Sequence, residues 1–176
     1  MKRLVMFVAL SGICAWSQSL DLSSLDKLAA KAKQVHKVSL DKNQLQMVMK
    51  MNSEEDKKDP DVKKVLNGLA TVQVRNFEFD KSGEYSDSDL DAVRAQIAKM
   101  QNCTSIVDSK EKDEHSQIFL CSDEGKGTAL AVVAAEPKEV SVVYIRGNMN
   151  LSDLGKLNGL MGIPDLSTGK GKSDQK

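Results

Sequence analysis

The sequence predicts an α+β fold, a mixed, largely antiparallel sheet of about five strands with amphipathic helices packed on one face. Two patterns carry that prediction. Apolar residues recur at helical spacing through much of the stretch from Leu25 to Met100, whereas alternating and β-branched runs fill most of Cys103 to Gly147. A third observation is the Glu136-Pro137-Lys138 connection between two such runs, which suits a tight hairpin. An antiparallel sheet with helices laid on it buries all of these stripes.

Leu25, Leu28, Ala29, Ala32 and Val35 mark a first helix, opened by Ser23 with Asp26 three residues later. His36, Val38 and Leu40 then share one side of a short strand. Asp41 caps a second helix through Gln44, with Leu45, Val48 and Met49 as its inward stripe. After the charged break "NSEEDKKDP", Asp59 and Pro60 restart a helix whose buried positions are Val62, Val65, Leu66 and Leu69.

In "TVQVRNFEF" the apolar phase changes, since Val72 and Val74 point one way and Phe77 and Phe79 the other. Either both sides of this strand are covered or a bulge near Arg75 and Asn76 resets the register. Ser88 with Asp91 opens a further helix carrying Leu90, Val93, Ile97 and Met100. Four strands follow, then a short helix from Leu151 to Met161 offering Leu154, Leu157 and Met161. No internal repeat is supported by these periodicities.

The start, "MKRLVMFVALSGICAWSQS", reads as a secretory signal peptide, with Lys2 and Arg3 ahead of an apolar run and a small-x-small triplet at Ala15-Trp16-Ser17. Residues 1–17 are therefore expected to be removed, residues 18–162 to form one domain, and residues 163–176 to be a disordered tail. The apolar run is too short to cross a bilayer, and no later stretch is longer. Cys14 invites a lipoprotein reading, but Ile13 stands where a small residue is wanted. Balanced charge, 25 basic against 25 acidic residues, provides no global field for nucleic acid.

Once the leader is removed, two cysteines remain, Cys103 and Cys121. A hairpin turning about Lys112 pairs positions that sum to 224, which sets these two directly opposite each other. Export favours an oxidising compartment and hence a structural disulfide. Free or labile thiols and a metal site are the alternatives. The first lacks the C-x-x-C of thiol oxidoreductases, and the second has only His115 between the cysteines, placed by this reading in a mobile charged loop.

Other motifs fall short of chemistry. Met47, Met49 and Met51 are of the soft type that holds Cu(I), yet on a helix they diverge, and Met49 joins the core stripe. "GKGKS" lacks the first glycine of a phosphate loop. Asp87, Asp89 and Asp91 alternate as in a calcium loop, but Ala92 and Ala98 occupy the positions that need Gly and Glu. His36 and His115 have no nucleophile placed beside them by a recognisable motif. The Asn102-Cys103-Thr104 glycosylation pattern has little weight, because its middle residue is the disulfide cysteine.

The exported leader, "VSLDKNQLQMVMKM", "LNGLATVQVRNFEF" and the later hairpins together resemble a family of secreted bacterial proteins described as a domain of unknown function, number 4252. The likeness runs from about Leu22 to Met161. It implies an envelope location and a compact α+β domain, and supplies no activity, cofactor or catalytic residue. The expectation is a non-enzymatic periplasmic or envelope-associated domain that binds a protein or small ligand, without cofactor or metal. A thiol redox factor or enzyme using Cys103 and Cys121 is the alternative. Metal carriage by the methionines or His115 ranks below both.

Overall fold

The computed structural model describes residues 19–51, 60–100, 102–123 and 127–148. The expected leader, the C-terminal helix and the tail lie outside the described residues. Six strands form one sheet: β1 (Gln34–Asp41), β2 (Leu69–Glu78), β3 (Cys103–Glu111), β4 (Glu114–Asp123), β5 (Gly127–Glu136) and β6 (Glu139–Gly147). Their order is β1-β2-β6-β5-β4-β3, and every neighbouring pair is antiparallel. The last four strands are a meander whose final member adds to β2, leaving β1 and β3 as edges.

The helices are α1 (Asp26–Ala29), preceded by a 3-10 turn over Ser23–Leu25, α2 (Lys42–Met51), α3 (Pro60–Gly68) and α4 (Asp91–Lys99). Local chemistry accounts for their starts. Asp41 Oδ1 accepts from the Gln44 N–H at 2.8 Å while Gln44 Oε1 accepts from the Asp41 N–H at 2.9 Å, a reciprocal cap that opens α2. The turn before α4 is capped two residues earlier than Ser88 and Asp91 suggest. Ser86 donates its N–H to Asp89 at 2.9 Å, and the 3-10 turn Asp87–Leu90 leads into the helix.

The α+β class and the antiparallel sheet are as the sequence predicts, with six strands in place of about five. The layering differs, because the helices divide between two faces. On the first face Leu25, Leu28, Leu90, Val93 and Ile97 pack over Phe77, Tyr144, Ala131 and Phe119. On the second, Leu45, Val65 and Leu66 cover Val72, Val74, Val143 and Ile145. Central strands of this kind carry apolar residues on both sides, so one helical layer leaves half of them wet. The register of β2 against β6 is continuous from Thr71 to Glu78, with its one irregularity between Leu69 and Thr71. The phase change in this strand is therefore the two-sided case, and no bulge lies at Arg75 and Asn76.

The chain start of the domain is tied into the first core. Leu20 and Leu22 are buried, and the side chain of Gln73 accepts the Leu20 N–H at 3.1 Å and donates to its carbonyl at 3.2 Å. A buried amide with both ends satisfied fixes the approach of this segment. Val35, the last apolar position assigned to the first helix, belongs to β1 instead and stays exposed. At the opposite end of the sheet a Cβ on Gly147 would meet the Gly68 carbonyl and, at 2.7 Å, the Leu69 Cα, so only glycine lets these backbones approach.

Lys27 bonds Asp89 at 2.7 Å and so pins α1 to the cap of α4. Hydrogen bonding from Lys27, followed by the Ser86 N–H, holds the Asp89 carboxyl down at about 2 against an ordinary 3.8. A depressed carboxyl contributes stability that is complete above its unfolded value and is lost as pH falls through the folded one. Asp89→Asn is therefore expected to flatten the fall in stability between about pH 4 and 2. At neutral pH it costs about 1 kcal/mol or less, since the pair is partly solvated. Urea unfolding at several pH values measures this, and an unchanged acid limb would refute the role assigned to the pair.

Candidate functional site

The meander places a polar cluster on the first face, near the β3–β4 turn. Asp108 and Lys110 on β3 stand opposite Gln117 and His115 on β4. The turn after Tyr85 brings in Asp87, and the first turn of α4 brings in Arg94, seven residues further on. His115 Nδ1 lies 3.0 Å from Asp87 Oδ2 and 3.2 Å from Arg94 Nη2, while its Nε2 lies 3.1 Å from Asp108 Oδ1. Arg94 also donates to Asp87 Oδ1 at 2.6 Å and pairs with Asp91 at 3.5 Å.

Burial opposes ionisation of Asp87, but hydrogen bonds from Arg94 and His115 outweigh it and leave its carboxyl below the ordinary value. Asp108 is held low first by the Gln117 amide at 2.8 Å and then by His115. Both ring nitrogens are thus engaged. If both carry protons, each donates to a carboxylate; if Nδ1 is bare, Arg94 donates to it. Neither arrangement leaves a nitrogen open to a substrate or a metal. Among the described residues no set of three or more His, Cys, Asp and Glu is placed to hold a metal ion.

Beside this cluster is an open depression of about 440 Å³, with Ser82, Gly83, Tyr85, Lys110 and Lys112 among its lining residues. Tyr85 stacks on Phe79 with ring centroids 5.1 Å apart and donates its hydroxyl to the Glu136 carbonyl. Burial, then the nearby carboxylates of Asp87 and Glu136, push its hydroxyl up to about 12, so it remains a proton donor at neutral pH. The depression is walled by a structural tyrosine and a closed ion network.

His115 is therefore a strand residue, and the mobile loop expected around it is absent. Strands run to Glu111 and from Glu114, leaving only Lys112 and Asp113 as the turn. The pairing sum is 224 at Cys103 and Cys121 but 225 beyond Ile106, because a register shift between Ser105 and Val107 absorbs one residue. The disulfide itself joins Cys103 and Cys121 as the hairpin arithmetic requires.

The three aspartates that mimic a calcium loop separate in space. Asp87 goes to Arg94 and His115, Asp89 to Lys27 and Asp91 to Arg94. Met49 packs against the second core while Met47 is 64% exposed, and the side chain of Met51 lies outside the described residues. His36 sits on β1 opposite Asn76, far from the His115 cluster in strand order. Arg94, Asp108 and Tyr85 were not legible as a group, because 7 to 54 positions of chain separate each from its hydrogen-bonding partners. Only the tertiary path joins them.

The second face changes character along the strands. The helical residues Leu45, Val65 and Leu66 cluster with the rows up to Val74, Val143 and Val132. The next row towards the hairpin turns is polar and small, running Asn76, Ser141, Ala134 and Ser116 across β2, β6, β5 and β4. None of the described helices belongs to a core cluster with it.

Residues 28–157 match the model of a family described as Domain of unknown function (DUF4252). Comparison with curated proteins and with solved structures returns no match.

Proposed function

Starting from a chain that belongs to the family described as domain of unknown function DUF4252, we propose that it is an exported, non-enzymatic binding domain of the cell envelope. The polar end of the second face carries this reading: small and polar residues on four strands, Asn76, Ser141, Ala134 and Ser116, continue the sheet beyond the apolar rows that cluster with α2 and α3, with Ser141 buried and the other three partly exposed. Proteins usually spend such central strands on core. The His115 network supports the non-enzymatic part, since both imidazole nitrogens are already engaged by Asp87, Arg94 and Asp108. Export is supported by the leader-like start and by the paired cysteines.

A photo-crosslinking residue placed at Ser116 in cells, against the same residue at exposed Asp21 on the opposite side, tests the platform. We expect a discrete adduct from Ser116 alone, in the envelope fraction, on a chain whose N-terminus lies near Gln18. Adducts of equal yield from both positions, or none from either, would remove the platform from consideration.

A further inference from the structure

We propose that the edge strand β3 is an interface between two copies of this chain, paired antiparallel about a two-fold axis at Ser109 so that their sheets join. The interface does not depend on the binding role assigned to the second face. β3 pairs with β4 on one side, is exposed from Thr104 to Glu111 and contains no proline. Its outer backbone N–H and C=O groups are therefore open to a further strand. Two of the four large apolar side chains that stand exposed among the described residues lie on it, Ile106 at 46% and Val107 at 41%.

Register selects the occupant. The shift between Ser105 and Val107 interrupts the ladder, so Val107 to Glu111 is the regular stretch. Asp108 and Lys110, opposite Gln117 and His115, belong to the first face; Val107, Ser109 and Glu111 belong to the second. A two-fold axis perpendicular to an antiparallel pair sets one residue opposite itself and its neighbours opposite each other, with facing side chains on the same side. Centred on Ser109, such a pair sets Asp108 against the partner's Lys110 and Lys110 against the partner's Asp108. Val107 then meets the aliphatic stem of the partner's Glu111. A centre at Asp108 or at Lys110 brings identical charges face to face, which is destabilising. A centre at Val107 sets Ile106 against Asp108 and runs the ladder into the bulge. Charge thus favours one symmetric register, and a second copy supplies both charges at the spacing it needs.

The two charges are available. Lys110 has no ion pair among the described residues. Asp108 has its side chain 56% exposed and accepts from His115 at 3.1 Å and from Gln117 at 2.8 Å. A carboxylate has about four acceptor sites, so an ammonium group can still approach. The other edge differs. On β1 a centre at Ser39 sets Lys37 against Asp41, but Lys37 is bound to Asp26 at 2.6 Å and Asp41 caps α2. That edge uses its charges within the chain, whereas β3 leaves a cation free.

The axis also has a consequence for the second face. Ser109 pairs with Ser116 and so continues the row of Asn76, Ser141, Ala134 and Ser116. A two-fold at Ser109 carries this row directly into that of the second copy, on the same side of the joined sheet.

Sedimentation velocity of the oxidised protein across a concentration series tests the interface. We expect a monomer–dimer equilibrium that weakens as salt rises, because exposed ion pairs are screened. Lys110→Asp should weaken association at least tenfold with no loss of melting temperature, since Lys110 has no ion pair to lose within its own chain. Mixing Lys110→Asp with Asp108→Lys should restore association as a heterodimer, each subunit offering the charges that the other lacks. Asp108→Lys removes a partner of His115, so a second variant guards against its misfolding. Ser109→Cys should crosslink to itself under mild oxidation, because directly opposed strand residues have Cβ atoms about 4.5–5.5 Å apart. Ser39→Cys on β1 should not. A chain that stays monomeric at millimolar concentration, a dimer untouched by Lys110→Asp, or crosslinking from Ser39→Cys in place of Ser109→Cys would each overturn the interface. A Ser116 adduct with another protein is a separate result, so the two readings can fail independently.

Discussion

Phe77→Ala is expected to lower the unfolding free energy by about 3–5 kcal/mol, the largest effect of any single side-chain truncation considered for this fold. Phe77 is fully buried on the first face between β1 and β6, in register with Val35 and Val140, and shares a core with Phe79, Leu90 and Tyr144. Rigid strand backbones on either side limit how far the site can collapse, so most of the cavity would remain. Val35→Ala, one strand away on the exposed edge, should cost well under 1 kcal/mol. Urea unfolding of the two variants at neutral pH checks the pair. Similar small costs at both sites would mean that the register assigned to β2 is wrong, because a one-residue slip would carry Phe77 to the other face.

Removal of the disulfide by Cys103→Ser with Cys121→Ser is expected to cost about 3 kcal/mol on the chain-entropy account for a loop of this size. The bond closes β3, an edge strand exposed along nearly all of its length, onto β4, whose Cys121 is buried in the first core. Without it no covalent link supplements the pairing of this edge strand with β4. The same bond decides between the two functional classes. A structural staple should have a reduction potential below about −300 mV, whereas a value near −200 mV belongs to catalytic pairs and would return the thiol redox reading. Thiol titration against a glutathione redox series provides the number, and denaturant unfolding of the serine variant provides the energy.

Much of the local structure was legible because its determinants are local. The Asp41–Gln44 cap, the Pro60 helix start, the Val93–Ile97 stripe and the Pro137–Lys138 turn each depend on residues within one helical turn or one hairpin. The cysteine pairing was also legible, since a hairpin converts sequence spacing directly into cross-strand contact. His115 was misplaced in a loop because the charged run between Val107 and Gln117 reads as solvated turn, whereas the strands continue through it to Glu111 and from Glu114; the register shift at Ile106 is likewise announced by nothing in "TSIVDS".

The layering and the polar sites came from tertiary structure. Helical stripes state that a face is buried, but not against which side of the sheet; that was decided when β6 inserted between β2 and β5 and created a centre apolar on both sides. The Asp87–Arg94–His115–Asp108 network draws on two strands, a turn and a helix. By itself the sequence determined the helical or extended character of most described segments, the starts of α2 and α3, and that Cys103 meets Cys121, because hydrogen-bonded caps, periodicity and turn chemistry act over a few residues. Strand order, the two-sided core and the alignment of distant charges were decided only in three dimensions, because they depend on long-range register that no short stretch of chain encodes.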